Sequence, residues 1–264
     1  MSDASSGQVS TRAAELYDEF FVPALFGQWP ERLLDLASVR PGETVLDVGC
    51  GTGVLARAAQ ERVGPDGHVI GLDPNTGMLA VARSHSSAVT WREGVGESLP
   101  LDAESVDVAA SQFALMFFLD PAGAVAEMHR VLRPRGRLVV ATWAGLTANP
   151  GYDALVGLLR RVVGDAAADA LIAPFTIGTE RALFGLVSPV FSDVQVEVRE
   201  GRARFPSIEA WLTTDIKAWT LEELVSDEQL TELLAEAPRI LGDFTSTDGT
   251  VDFPMPALVA TARR

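Results

Sequence analysis

Val45-Leu46-Asp47-Val48-Gly49-Cys50-Gly51-Thr52-Gly53-Val54-Leu55-Ala56 carries an apolar strand into a glycine-rich turn and then into an apolar, alanine-rich helix. Gly49, Gly51 and Gly53 permit a tight strand-to-helix turn with positive φ and let a ligand approach the backbone. The helix that follows presents unpaired N–H groups, which suit a ligand carboxylate. A dinucleotide fingerprint wants G-x-G-x-x-G, and here Val54 stands where its last glycine would be. Asp47, just before the turn, would repel a pyrophosphate and attract a cation, so a ligand with an ammonium group fits better than a nicotinamide dinucleotide.

Reading outward, Val69-Ile70-Gly71-Leu72-Asp73 is a second apolar strand. It ends in an acid about 20 residues after the turn, the distance that a βαβ unit requires. Glu93-Gly94-Val95-Gly96-Glu97-Ser98-Leu99-Pro100-Leu101 follows, then the strand Ser105-Val106-Asp107-Val108-Ala109-Ala110-Ser111. Glu127-Met128-His129-Arg130-Val131-Leu132-Arg133-Pro134-Arg135-Gly136-Arg137-Leu138-Val139-Val140 adds a helix, a turn and a fifth strand. With these segments in this order, the chain resembles the class I S-adenosylmethionine-dependent methyltransferases of the ubiquinone/menaquinone-biosynthesis type, also called methyltransferase type 11.

The resemblance spans about Thr11–Trp143. It implies a Rossmann-like sheet, mostly parallel with an antiparallel last strand, and S-adenosyl-L-methionine as cofactor. Asp47, Gly49, Cys50, Gly51 and Gly53 would hold its methionine end. Asp73 would take the ribose hydroxyls, with Pro74 and Met78 beside it, and Val95, Gly96 and Glu97 would line the adenine edge. Ser111, Gln112 and Phe113, at the end of the fourth strand, and Tyr17 from the N-terminal segment complete the expected set. Val95 departs from the family, which has an aspartate there for the adenine amino group, so main-chain groups at Val95 and Gly96 are left for that edge.

At 264 residues with 47% hydrophobic side chains, the chain suits one α/β domain with embellishments. Its formal charge of −15 opposes phosphate backbones, and no basic run offsets it, so nucleic acid is not an expected partner. Cys50 is the only cysteine, which excludes an intrachain disulfide and makes the cytoplasm the expected compartment. Met1–Ser10 lacks the basic and apolar regions of a signal peptide, and no apolar run reaches the roughly 20 residues of a membrane span, so no stable membrane insertion is expected.

Residues 1–40 read as a helical cap segment, in which Pro23 and Pro30 divide apolar positions at helical spacing, and 41–264 as the methyltransferase domain. Strands are expected at Thr44–Val48, Val69–Asp73, Val89–Glu93, Val106–Ser111 and Arg137–Trp143, the alternation of a parallel sheet. Helices follow around Tyr152–Val163 and Glu180–Val190. Val194–Arg199 and Pro256–Thr261 read as an antiparallel closing pair. Between them, residues 207–244, with Trp211, Trp219 and leucines at helical spacing, form a helical insertion. A lid and plain shielding of the sheet edge or a homodimer contact both stay open for it.

Metal chemistry has no ligand spacing behind it, so no metal is expected. The histidines are His68, His85 and His129, and none falls where a general base is wanted. No catalytic residue is assigned. Phe113, Phe117 and Phe118 follow the fourth strand and favour a small, apolar or aromatic acceptor, although core packing explains them equally well. The leading function is therefore methyl transfer from S-adenosylmethionine to such a metabolite. A non-methylating cofactor-binding protein of the same fold and an NAD-dependent oxidoreductase are the alternatives.

Overall fold

The computed structural model describes residues 10–217 and 221–264, so Trp219 of the expected insertion lies outside the described residues. The chain opens with α1 (Thr11–Leu16), a π-helical stretch (Tyr17–Phe26) and α2 (Pro30–Leu36). Strand and helix then alternate through β1 (Thr44–Val48), α3 (Val54–Val63), β2 (His68–Asp73), α4 (Thr76–His85) and β3 (Thr90–Glu93). The alternation continues with β4 (Val106–Gln112), α5 (Pro121–Val131) and β5 (Leu132–Trp143). Beyond it lie α6 (Pro150–Val162), α7 (Asp165–Ile172), α8 (Glu180–Val187), β6 (Ser192–Arg199), β7 (Arg202–Phe205), α9 (Ile208–Lys217) and α10 (Asp227–Leu241). The chain closes with β8 (Val251–Pro254) and β9 (Ala257–Arg263).

The main sheet has the order β3-β2-β1-β4-β5-β9-β6. The strands from β3 to β5 pair in parallel, and β9 inserts antiparallel between β5 and β6. This is the expected mostly parallel sheet with an antiparallel last strand. Val45, Leu46, Val48, Val108, Ala109 and Ala110 are fully buried, as continuous apolar runs must be when helices cover both faces of a sheet. The chain order reverses between β1 and β4, and the glycine turn after β1 opens there, at the carboxyl ends of the strands, where ligands of such sheets bind.

Several local expectations need correction. Pro23 does not end a helix: the wider π-helical turn absorbs the missing N–H, and the stretch runs on to Phe26. The fifth strand begins at Leu132 rather than Arg137. The expected turn is taken into it as a bulge, with the register shifting between Val106 and Val108 and Arg135 at φ +69°. Strand β3 starts one residue later than expected, and β9 runs Ala257–Arg263. The two-stranded ribbon β7–β8 was not foreseen.

The N-terminal helices share the main core, where Phe21, Leu25, Phe26, Trp29, Leu33 and Leu34 are buried. Gln28 fastens them to β7, with Nε2 donating to the Arg202 carbonyl at 2.7 Å and Oε1 accepting from the Arg202 N–H at 3.1 Å. The insertion is helical as expected. Ser226 and Gln229 close a reciprocal capping box at the start of α10. Trp211, Leu212, Ile216, Leu233, Ala237 and Leu241 form its buried face.

Candidate active site

The glycine turn takes the conformation its composition demands. Gly49, Gly51 and Gly53 have φ of +73°, +52° and +84°. A Cβ on Gly49 would stand 2.3 Å from the Ala114 Cβ, and one on Gly53 would stand 2.3 Å from the Trp91 ring. A Cβ on Gly51 would meet nothing within 4 Å, so the turn is open on that side. Gly53 begins α3, whose first N–H groups have no side-chain cap.

Asp47 is 1% exposed, and neither of its carboxylate oxygens has a hydrogen-bond partner among the described residues. Burial, and then the nearby Asp73, push its pKa up to about 7, while the Ala56 N–H at the head of α3 pulls it down. An unpaired buried carboxylate is costly unless a partner is supplied, and an ammonium group would supply one. Asp73 ends β2 with Oδ2 accepting from Gly51 N–H and Oδ1 from Asn75 N–H, both at 2.8 Å. Burial raises its pKa and those two N–H groups lower it. Its carboxylate therefore joins the glycine turn to the start of α4, where the Asn75 side chain accepts from Gly77 and Met78 N–H.

Tyr17 reaches the same region. Burial, followed by Asp73 and Asp18, raises its pKa strongly, and its ring stacks on Phe26 at 5.3 Å. Met78 packs with Ala14, Val81 and Tyr17, and Pro74 is exposed beside them. The Cys50 thiol is buried, and burial together with Asp47 and Asp73 pushes it well up, the opposite of a reactive thiol.

On the opposite wall Val95 is 45% exposed and Gly96 is buried. Phe118 lies against both glycine segments: a Cβ on Gly96 would come within 2.7 Å of its ring, and one on Gly49 within 3.5 Å. Glu97, expected at the adenine edge, also has a structural use. Its Oε1 accepts from Leu119 and Asp120 N–H at 2.8 and 3.2 Å, tying this loop to the start of α5. Ser111 is buried, its hydroxyl without a hydrogen-bond partner among the described residues, and the Gln112 amide donates to the Phe26 carbonyl at 3.5 Å.

Phe113, expected in the cofactor set, belongs to a neighbouring cavity. It stacks on Trp143 with centroids 3.7 Å apart and planes 15° from parallel. The cavity measures about 500 Å³ out to its mouth, and its walls are mostly apolar: Phe21, Leu25, Phe26, Phe113, Phe117, Trp143, Leu171, Phe175 and Met255. Tyr17 also lines it, which joins the cavity to the Asp73 side of the glycine turn. No histidine lines it. His85 pairs with Asp18 at 2.8 Å and His129 packs edge-on against Phe191.

The sequence reading missed Asp215 of α9, which lines this cavity with Tyr152 of α6. It is 5% exposed, and its Oδ1 accepts from the Tyr152 hydroxyl at 3.4 Å. Its Oδ2 has no hydrogen-bond partner among the described residues. Burial pushes its pKa up to about 8, while hydrogen bonding from the side chains of Trp211 and then Tyr152 pulls it down. The signal was available: Trp211, Leu212, Asp215 and Ile216 share one helical face, where an acid among apolar residues is out of pattern. No group of three or more His, Cys, Asp or Glu side chains that could hold a metal exists among the described residues. No single helix among them is long and apolar enough to cross a membrane.

Sheet order, open glycine turn and the acid ending β2 define a Rossmann-like class I domain. Residues 46–140 match a family model described as a methyltransferase domain. Residues 46–140 of this chain thus read as a methyltransferase domain, carried on a Rossmann-like sheet. Among curated relatives, the malonyl-[acyl-carrier protein] O-methyltransferase of Serratia marcescens is 39% identical over 134 residues, 51% of this chain and 51% of that one. A ubiquinone/menaquinone biosynthesis C-methyltransferase of Xanthomonas oryzae is 33% identical over 159 residues, 56% of this chain and 63% of that one. The chain thus matches between about half and five-eighths of the length of these relatives. The structure of Haemonchus contortus phosphoethanolamine N-methyltransferase 2, in complex with phosphomonomethylethanolamine and S-adenosylhomocysteine, aligns with a TM-score of 0.61. It is 17% identical, with 98% of this chain and 58% of that one covered, a likeness of fold.

Proposed function

We propose that this protein binds S-adenosylmethionine at the glycine turn and methylates a small, apolar or aromatic metabolite held in the adjoining cavity. The observation that carries the reading is Asp47: a buried carboxylate with no hydrogen bond of normal geometry among the described residues, helped only by the Ala56 N–H and beside a turn that is open at Gly51, suits the ammonium end of an amino-acid cofactor. The head of α3 suits the cofactor's carboxylate, and Asp73 suits its ribose. Bound there, the cofactor supplies an electrophilic methyl group on a sulfonium. The chain's own part is to orient the acceptor and keep water away, which aromatic walls do well and which accounts for much of the rate in a displacement of this kind.

Calorimetric titration of the protein with S-adenosylmethionine, S-adenosylhomocysteine and NAD in turn tests the reading. Micromolar binding of the first two with none of the third is the expected result. Binding of NAD alone, or of none, would overturn it.

A further inference from the structure

We propose that Asp215, steadied by Tyr152, is the acceptor-recognition residue of the cavity and holds the hydroxyl group of a planar phenolic acceptor. The inference rests on the methyltransferase reading for the word acceptor, but the site itself stands on its own geometry.

Asp215 is out of place as a structural residue. It is buried on the apolar face of α9, and no cation contributes to its ionisation balance; Trp211 and Tyr152 are the groups that do. Isolating a carboxyl group this way is costly unless something pairs with it, and an apolar side chain would fill the position at less cost. One oxygen takes the Tyr152 hydroxyl, and the other has no hydrogen bond of normal geometry among the described residues, with Trp211 as a further polar neighbour of the carboxyl group, in a residue that lines the cavity.

The walls narrow the ligand class. Phe113 and Trp143 lie nearly parallel, and Phe21, Phe26 and Phe175 add further apolar surface. A flat aromatic ring system suits such walls. A phenolic hydroxyl both donates and accepts, so it can pair with Asp215 in either protonation state. Leaving the Asp215 oxygen unmatched would disfavour a similar ligand that lacks the hydroxyl proton.

The test uses the full chain, with and without saturating S-adenosylhomocysteine, and three probes: 2-naphthol, 2-methoxynaphthalene and naphthalene. Binding is read from quenching of intrinsic tryptophan fluorescence. The wild-type protein is expected to bind 2-naphthol at least tenfold more tightly than either of the others. In Asp215→Leu that preference is expected to fall to within twofold while affinity for S-adenosylhomocysteine is unchanged, a separation that general unfolding would not give. Tyr152→Phe, which keeps the ring, is expected to reduce the preference severalfold and serves if Asp215→Leu does not fold. Equal binding of the three probes to wild type, or no 2-naphthol binding up to its solubility limit, would overturn the proposal. Failure of S-adenosylhomocysteine to bind would instead sink the methyltransferase reading, leaving the probe preference to be judged separately.

Discussion

The two halves of the site are built in different ways. The proposed cofactor side occupies contiguous motifs, in which Gly49–Gly53 and Asp73 lie at the ends of neighbouring strands and are shaped largely by main-chain geometry. The proposed acceptor side is assembled from side chains that are far apart in sequence, from the N-terminal π-helix, the ends of β4 and β5, α6, the α7 region and α9. A backbone-built site imposes φ values and spacings that few residues satisfy, so it marks its own sequence. A side-chain-built cavity asks only for apolar bulk and leaves almost no mark.

If the division is real, the halves should fail independently. The largest expected effect is on stability. Trp143→Ala removes a buried ring from the Phe113 stack and should cost about 3 kcal/mol in denaturant unfolding, while S-adenosylhomocysteine affinity at a permissive temperature changes less than twofold. A large loss of affinity in this variant would join the two halves.

Gly49→Ala should do the reverse. Its Cβ would crowd Ala114 at a backbone φ of +73°, so the turn must shift. We expect S-adenosylhomocysteine to bind on the order of 100-fold more weakly, about 2.7 kcal/mol, with a smaller loss of stability, on the order of 1–2 kcal/mol. Calorimetry and a urea melt on the same sample separate the two numbers.

Asp73→Ala should weaken S-adenosylmethionine binding by about tenfold or more, roughly 1.4 kcal/mol, with folding nearly intact. Unchanged affinity would remove Asp73 from the ribose and leave it as the brace between Gly51 and Asn75.

The smallest effect concerns pH. Asp215 ionises near 3.8 when exposed and at about 8 in the folded protein. Between these values the folded state holds the extra proton, so the contribution of Asp215 to stability falls as pH rises from about 4 to about 8. Asp47 acts in the same direction up to about 7. Asp215→Asn should therefore flatten the decline of stability over pH 4–8, and most clearly between 7 and 8, where Asp47 no longer contributes. An unaltered slope would mean that Asp215 is not isolated from water as described.

The same contrast explains what could be read from the residues alone. Strand order, the glycine turn, Asp73 and the approach of Tyr17 followed from local patterns with few solutions. The position of Phe113 at the end of β4 suited a cofactor contact, and only the fold shows it stacked on Trp143 in the cavity wall. For Glu97, a carboxylate in the right loop says nothing of the N–H groups of Leu119 and Asp120 that its Oε1 meets. Asp215 was overlooked because the search for a polar group looked to histidine rather than to an acid misplaced on an apolar helical face.

The central claim is that Asp47 and the glycine turn receive the amino-acid end of the cofactor. Calorimetric comparison of S-adenosylhomocysteine with 5′-methylthioadenosine, which keeps the adenosine and lacks the amino acid, tests it most directly. We expect S-adenosylhomocysteine to bind at least 100-fold more tightly, about 2.7 kcal/mol, and the difference to shrink below tenfold in Asp47→Ala. Equal affinity of the wild-type protein for the two compounds would contradict the account.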